Sequence, residues 1–215
     1  MTLRERYPDA DILAQRAHRD DTTRRVVLDR VHNVPELRFF NAVERETLER
    51  LCARVVPQAH RPSDRVIPIA PWIDARCAGH HSDGFRLDDV PSNEQAWTWG
   101  LLGLDQTANA LFGDNVRFSS LAEKQQHQVL ESIRVGDPPG DVWQRMPARR
   151  WWVLVALRQI TAVYYAHPYA WDEIGFGGPA YPRGYLALNF GNPEPWEPRE
   201  FGEASRSLRP RWRLP

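Results

Sequence analysis

Lysine is nearly missing from this 215-residue chain: of its 28 basic residues only Lys124 is not arginine. Those 28 are matched by 28 acidic residues, so the net charge is zero and nonspecific binding to nucleic acid or anionic membrane has no electrostatic basis. Cysteine occurs twice, at Cys52 and Cys77, in neither CxxC nor CxxCH spacing. That excludes a disulfide framework, a c-type haem attachment and a cysteine-ligated iron–sulfur cluster in this chain. No long apolar run is present. The most apolar stretch, Trp151 to Tyr165, is interrupted by Arg158 and Gln159 and falls short of the roughly 20 residues that span a bilayer. Near the N-terminus, Arg24-Arg25 is followed only by Val26-Val27-Leu28 before Asp29 intervenes, which is no signal-peptide core. A soluble, cytoplasmic chain is expected.

The motifs of common catalytic sites are absent too. There is no HExxH, no GxSxG, no GxGxxG and no GxxxxGK[ST]. Gly175-Phe176-Gly177-Gly178-Pro179 is glycine-rich, but no strand pattern precedes it and Pro179 opens no helix, so it reads as no phosphate loop. His80-His81 with Asp83 lacks a helical ligand spacing, and Cys52 and Cys77 sit in apolar helical contexts as small hydrophobes. No catalytic residue and no metal site is expected.

What is present is helical. Asn41 and Glu44 form a capping pattern, and Leu48, Leu51, Cys52 and Val55 follow on one stripe. A second helix is expected over Ile69 to Cys77, with Pro71 in its first turn. Ser92 and Gln95 open a longer one whose seam is Trp97, Leu101, Leu104, Ala108 and Leu111. Gly100 and Gly103 inside it cost about 1 kcal/mol each, so something must approach the backbone closely there. Ser120 and Glu123 predict a further start, with Val129, Leu130 and Ile133 inward and Gly136 as the stop. The most hydrophobic helix is expected from about Ala148 to His167. Adjacent Trp151 and Trp152 should diverge on it, sending at least one toward a second surface. No segment alternates with period two. The fold class is therefore mainly α: a charged N-terminal segment (1–37), with at most a short helix near Ile12 to Ala17, and a small helical array (38–167).

Residues 168–215 differ. Proline and glycine recur too often for a long helix or regular sheet, yet Trp171, Phe176, Tyr181, Tyr185, Trp196 and other large apolar residues persist. An extended Pro/Gly/aromatic-rich C-terminal tail fits, lying in a groove of its own chain or of a partner.

The segment Tyr164-Tyr165-Ala166-His167-Pro168, followed by Trp171 to Gly175 and by Phe176-Gly177-Gly178-Pro179-Ala180-Tyr181-Pro182-Arg183-Gly184-Tyr185, resembles the C-terminal signature of the gluconate 2-dehydrogenase subunit 3 family. Phe39-Phe40-Asn41 and the capped helix to Pro57 resemble that family's opening, and the resemblance runs over roughly residues 38–196. It implies a noncatalytic small subunit. The FAD and the hydride transfer belong to a larger glucose-methanol-choline type partner acting on a sugar, glycoside or related alcohol. It further implies stabilisation or maturation of that partner in a hetero-oligomer, with no cofactor in this chain. Many relatives carry a twin-arginine signal that this sequence does not show.

On that reading the partner-binding residues are Tyr164, Tyr165, His167, Trp171, Phe176, Gly177, Gly178, Pro179, Tyr181, Pro182, Arg183, Tyr185 and Trp196. The glycines would permit close approach or positive φ, the prolines would lower ordering entropy, and Arg183 would make a bidentate contact. Two other readings are a self-contained enzyme built on His167, Asp172 and Glu173, and a homo-oligomeric binding or scaffold protein.

Overall fold

The structure is a computed structural model that describes residues 6–8, 10–81, 84–85, 87–179, 198 and 200. Among the described residues its regular structure is all helical, without strands. None of its helices is long and apolar enough to cross a membrane. The chain divides into two compact units. One is Pro35–Tyr164; the other is built from both ends of the chain, within Met1–Val34 and Tyr165–Pro215.

In the larger unit, α2 (Ala42–Val55) starts at the expected capping box. Asn41 Oδ1 accepts from the Val43 and Glu44 N–H groups, and Glu44 Oε2 accepts from Asn41 N–H. Its buried stripe is Thr47, Leu48, Leu51 and Cys52. Helix α3 (Ile69–Ala78) tolerates Pro71 in its first turn and buries Asp74 completely. The Asp74 carboxylate accepts from the backbone N–H groups of Arg38, Phe39 and Phe40 at 2.7 to 3.1 Å, which fixes the chain entering α2. Helix α4 (Asn93–Phe112) is capped by Ser92 and buries Trp97, Leu101, Leu104 and Ala108. Leu111 is exposed, so the seam ends one turn earlier than the spacing suggested. Helix α5 (Glu123–Val135) begins at Ala122 rather than Ser120. The Gln125 side chain accepts from Ala122 N–H, while the Ser120 hydroxyl donates to Arg117 O in a preceding 3-10 turn. Gly136 ends it with φ +99°.

Helix α6 covers 148–166 and contains a π-helical segment, Trp151–Leu157, between α-helical ends. This segment corrects the expectation for the tryptophan pair: Trp151 and Trp152 are both buried. Hydrogen bonds closed over five residues instead of four leave successive side chains at a smaller angle, so neighbours can share one interior. The Trp151 ring meets Trp97 edge-on at 6.2 Å and Trp143 at 5.5 Å. The two helical glycines explain the fit. A Cβ at Gly100 would lie 2.0 Å from the Trp151 indole, and one at Gly103 would lie 2.4 Å from the Trp143 indole. What approaches the backbone is an aromatic ring at each site, not a second helix.

The smaller unit holds a helix that the sequence pattern did not suggest, α1 (Asp21–His32). It is capped by Asp20, whose carboxylate accepts from the Thr22 and Thr23 N–H groups. A 3-10 segment, Ala14–His18, precedes it close to the expected short helix. Helix α7 (Pro168–Ile174) lies in the same unit. Ile12, Val27 and Trp171 form its core, with Leu13 and Phe176 packed against them.

Candidate functional site

The signature residues fall in consecutive short structures, and the sequence explains each. Tyr164 ends the buried face of α6 in the larger unit. There the Arg61 guanidinium lies 5.4 Å from its ring centroid and donates to its hydroxyl at 2.9 Å. His167 turns the chain into α7: its Nδ1 accepts from Tyr169 N–H at 3.2 Å, and Pro168 follows where a first-turn N–H is not needed. Trp171 Nε1 donates to Tyr165 O at 2.7 Å, and Arg30 Nη1 donates to Ala166 O at 2.6 Å. Gly175 closes α7 with φ +66°. The Gly175 and Phe176 N–H groups both donate to Trp171 O, which folds Phe176 back edge-on against the Trp171 ring at 5.4 Å.

Several residues expected to meet a partner are thus engaged within the chain. Tyr164, His167 and Trp171 are buried, holding Arg61, the α7 cap and the smaller unit's core respectively. Phe176 packs on that same core. Gly178 is buried with φ +82°, and a Cβ there would meet Arg19 Nη2 at 2.9 Å and Ile12 Cδ1 at 3.0 Å. The positive φ expected at the glycine pair is therefore found at Gly178 and not at Gly177. Gly175 and Gly178 are thus packed against Tyr7, Arg19 and Ile12 of the chain itself. Tyr165, in the last turn of α6, is 47% exposed, and Tyr169, in the first turn of α7, is half-buried. Ile174, at 39% exposure, adds an apolar group from α7, and Gly177 and Pro179 are half-buried. Tyr181, Pro182, Arg183, Tyr185 and Trp196 lie outside the described residues.

Two members of the His167, Asp172 and Glu173 group have structural bonds. His167 caps a helix, and Asp172 Oδ1 accepts from Ile12 N–H at 2.7 Å. Among the described residues no three His, Cys, Asp or Glu side chains are placed to share a metal ion. The thiols are equally unsuited to nucleophilic work. Burial pushes Cys77 up to about 12 and raises Cys52 further. The smaller unit's core residues Ile12 and Val27 escaped sequence reasoning. Their partner Trp171 is more than 140 residues away along the chain, and no local period connects them.

Residues 42–178 match the family model described as gluconate 2-dehydrogenase subunit 3. The matched stretch begins at the first residue of α2 and ends at Gly178. No curated protein and no solved structure matches the chain.

Proposed function

The chain belongs to the gluconate 2-dehydrogenase subunit 3 family, and from that premise we propose that it is the noncatalytic small subunit of a flavin-dependent dehydrogenase. Its larger partner, of the glucose-methanol-choline type, holds the FAD and oxidises a sugar, glycoside or related alcohol. This chain binds that partner, stabilises its folded form and helps it mature. The pair works in the cytoplasm.

The observation that carries the reading is the family match extending through α7 to Gly178. The side-chain chemistry supports it, because the polar groups of the signature serve as caps and struts. Arg30, Asp172 and His167 tie α7 into the smaller unit and hold Tyr165 and Ile174 outward on a fixed frame. A rigid frame carrying exposed aromatic and aliphatic groups is what an interface uses, since little ordering entropy is then lost on binding. Beyond Pro179, the tyrosines, Arg183 and Trp196 supply further anchors. Contacts from residues of that composition would bring the interface into the obligate range above about 2,000 Å².

The test is co-expression of this chain with the flavoprotein encoded for the same complex, with the tag on this chain only. Co-elution in equal amounts, with higher flavin occupancy and a longer active lifetime for the large subunit than when it is made alone, is the expected result. A large subunit that is fully loaded and equally long-lived without this chain rejects the stabilising role. Light scattering of the pure chain separates the homo-oligomeric reading.

A further inference from the structure

A recess of about 380 Å³ opens on the larger unit, lined by residues that precede the signature, and no part of the proposed subunit role uses it. Its lining is part polar and part apolar, the apolar part being Phe85, Leu87 and Val90 from one side and Leu154 and Val155 from the other. Its size lies within the range of small-molecule sites. Two features mark it as built. The wall supplied by α6 is the π-helical segment, a rare conformation that recurs at functional sites. The opposite wall is tied down at two points, by the ion pair of Asp89 with Arg150 and by His80 Nδ1 at 3.2 Å from Glu94 Oε1.

The polar groups facing the recess define what it takes. Gln159 is the one at its most buried point, only 7% exposed. Its Oε1 accepts from Trp97 Nε1 at 2.9 Å and its Nε2 donates to Asn93 Oδ1, while Asn93 Nδ2 donates to Cys77 Sγ at 3.6 Å. A primary amide has two N–H groups. These bonds use one on each residue, leaving a second donor on Gln159 and on Asn93. Glu94 is held in its charged form, first by the backbone at the start of α4 and then by Ser92 and His80, so its charge is already compensated.

We propose that this recess binds a small uncharged ring-shaped molecule that presents an apolar face to Leu87, Val90, Leu154 and Val155 and a carbonyl-type acceptor to the amides of Gln159 and Asn93. Neither charge in the lining is open to a ligand: Glu94 is compensated as described and Arg158 is already engaged within the chain, so a charged ligand gains no pairing there. A ligand polar on every side would strand its hydroxyls against the aliphatic walls.

Trp97 reports on the site through its bond to Gln159. The experiment is ¹⁹F NMR of the full chain labelled with 5-fluorotryptophan, alone or in its complex, titrated separately with benzamide, benzoate and glucose. The Trp97 resonance is assigned with Trp97→Phe. Benzamide is expected to shift the Trp97 resonance saturably, with half-saturation near about 1 mM for a ligand of this size. Benzoate and glucose should act at least 10-fold more weakly. Leu154→Trp, a substitution at a partly exposed wall position that fills the recess, should abolish the shift while leaving the unliganded spectrum dispersed. Tighter binding of benzoate or glucose overturns the proposal, as does a benzamide shift that survives Leu154→Trp or no shift with any probe. None of these outcomes bears on whether a flavoprotein co-purifies.

Discussion

Gly100→Ala is the sharpest probe of the core. In an exposed helix this change is stabilising by about 1 kcal/mol, because alanine loses less backbone freedom than glycine. Here the added methyl would sit 2.0 to 2.3 Å from three atoms of the Trp151 indole. That ring has no room to swing: Trp97 and Trp143 flank it at 6.2 and 5.5 Å, and it is fully buried. Overpacking of this kind costs about 1–3 kcal/mol, and a rigid ring held on two sides belongs at the upper end. After the gain in propensity, a net loss of about 2 kcal/mol is expected. The assay is urea denaturation followed by near-UV circular dichroism, which reads the tryptophan cluster; the midpoint should fall with no change in slope. The same substitution made in a Trp151→Leu background should have the opposite sign and stabilise by up to about 1 kcal/mol, since the clash is gone and the propensity gain remains. Gly100→Ala raising the midpoint in the natural chain, or equal effects in both backgrounds, would refute the argument that Gly100 exists to seat Trp151.

Four further predictions rest on single groups. Asp74→Ala should destabilise the larger unit by about 3 kcal/mol in the same denaturation assay, because three N–H groups from Arg38 to Phe40 lose their acceptor. Burial raises the Asp105 carboxyl above its usual range, against the opposing pull of the Phe118 N–H, so the folded chain holds that proton more tightly than the unfolded one. Stability should therefore fall as pH rises from the ordinary aspartate range through the raised value. Asp105→Asn should be the more stable protein at pH 7, with its advantage gone below about pH 4, measured as paired denaturation midpoints. Tyr165→Ala should weaken retention of the partner at least 10-fold while the chain keeps a cooperative thermal transition. Trp171→Ala should unfold the smaller unit at a cost of about 3–5 kcal/mol.

Much of the larger unit was legible because its signals are local. The Asn41 box, the Ser92 cap, the 4-and-3 spacing from Trp97 to Ala108 and the Gly136 stop each lie within one or two helical turns. Even the glycines pointed to a close approach, though not to the ring that makes it. Failures came where distant residues decide. Ser120 looked like a cap, but the chain spends it on a 3-10 turn and lets Gln125 serve Ala122. Trp151 and Trp152 obey a π-helix that no periodicity announces. Helix α1 presents a short apolar stripe that means little until Trp171 is known to cover Val27. The exposure of the aromatic residues was the least legible. Aromatic content marks Tyr164, Tyr165 and Trp171 alike, whereas burial separates the one that faces outward from the two that hold the fold.

The central claim is that this chain is one half of a flavoprotein complex. The most direct test is a tagged pull-down of the natural chain from its native host, beside Tyr165→Ala, with a visible absorption spectrum of each eluate. The account predicts a yellow eluate with a flavin spectrum and one larger chain in equal amount, and a marked loss of both in the variant. A colourless eluate containing this chain alone, well folded and stable, would contradict it.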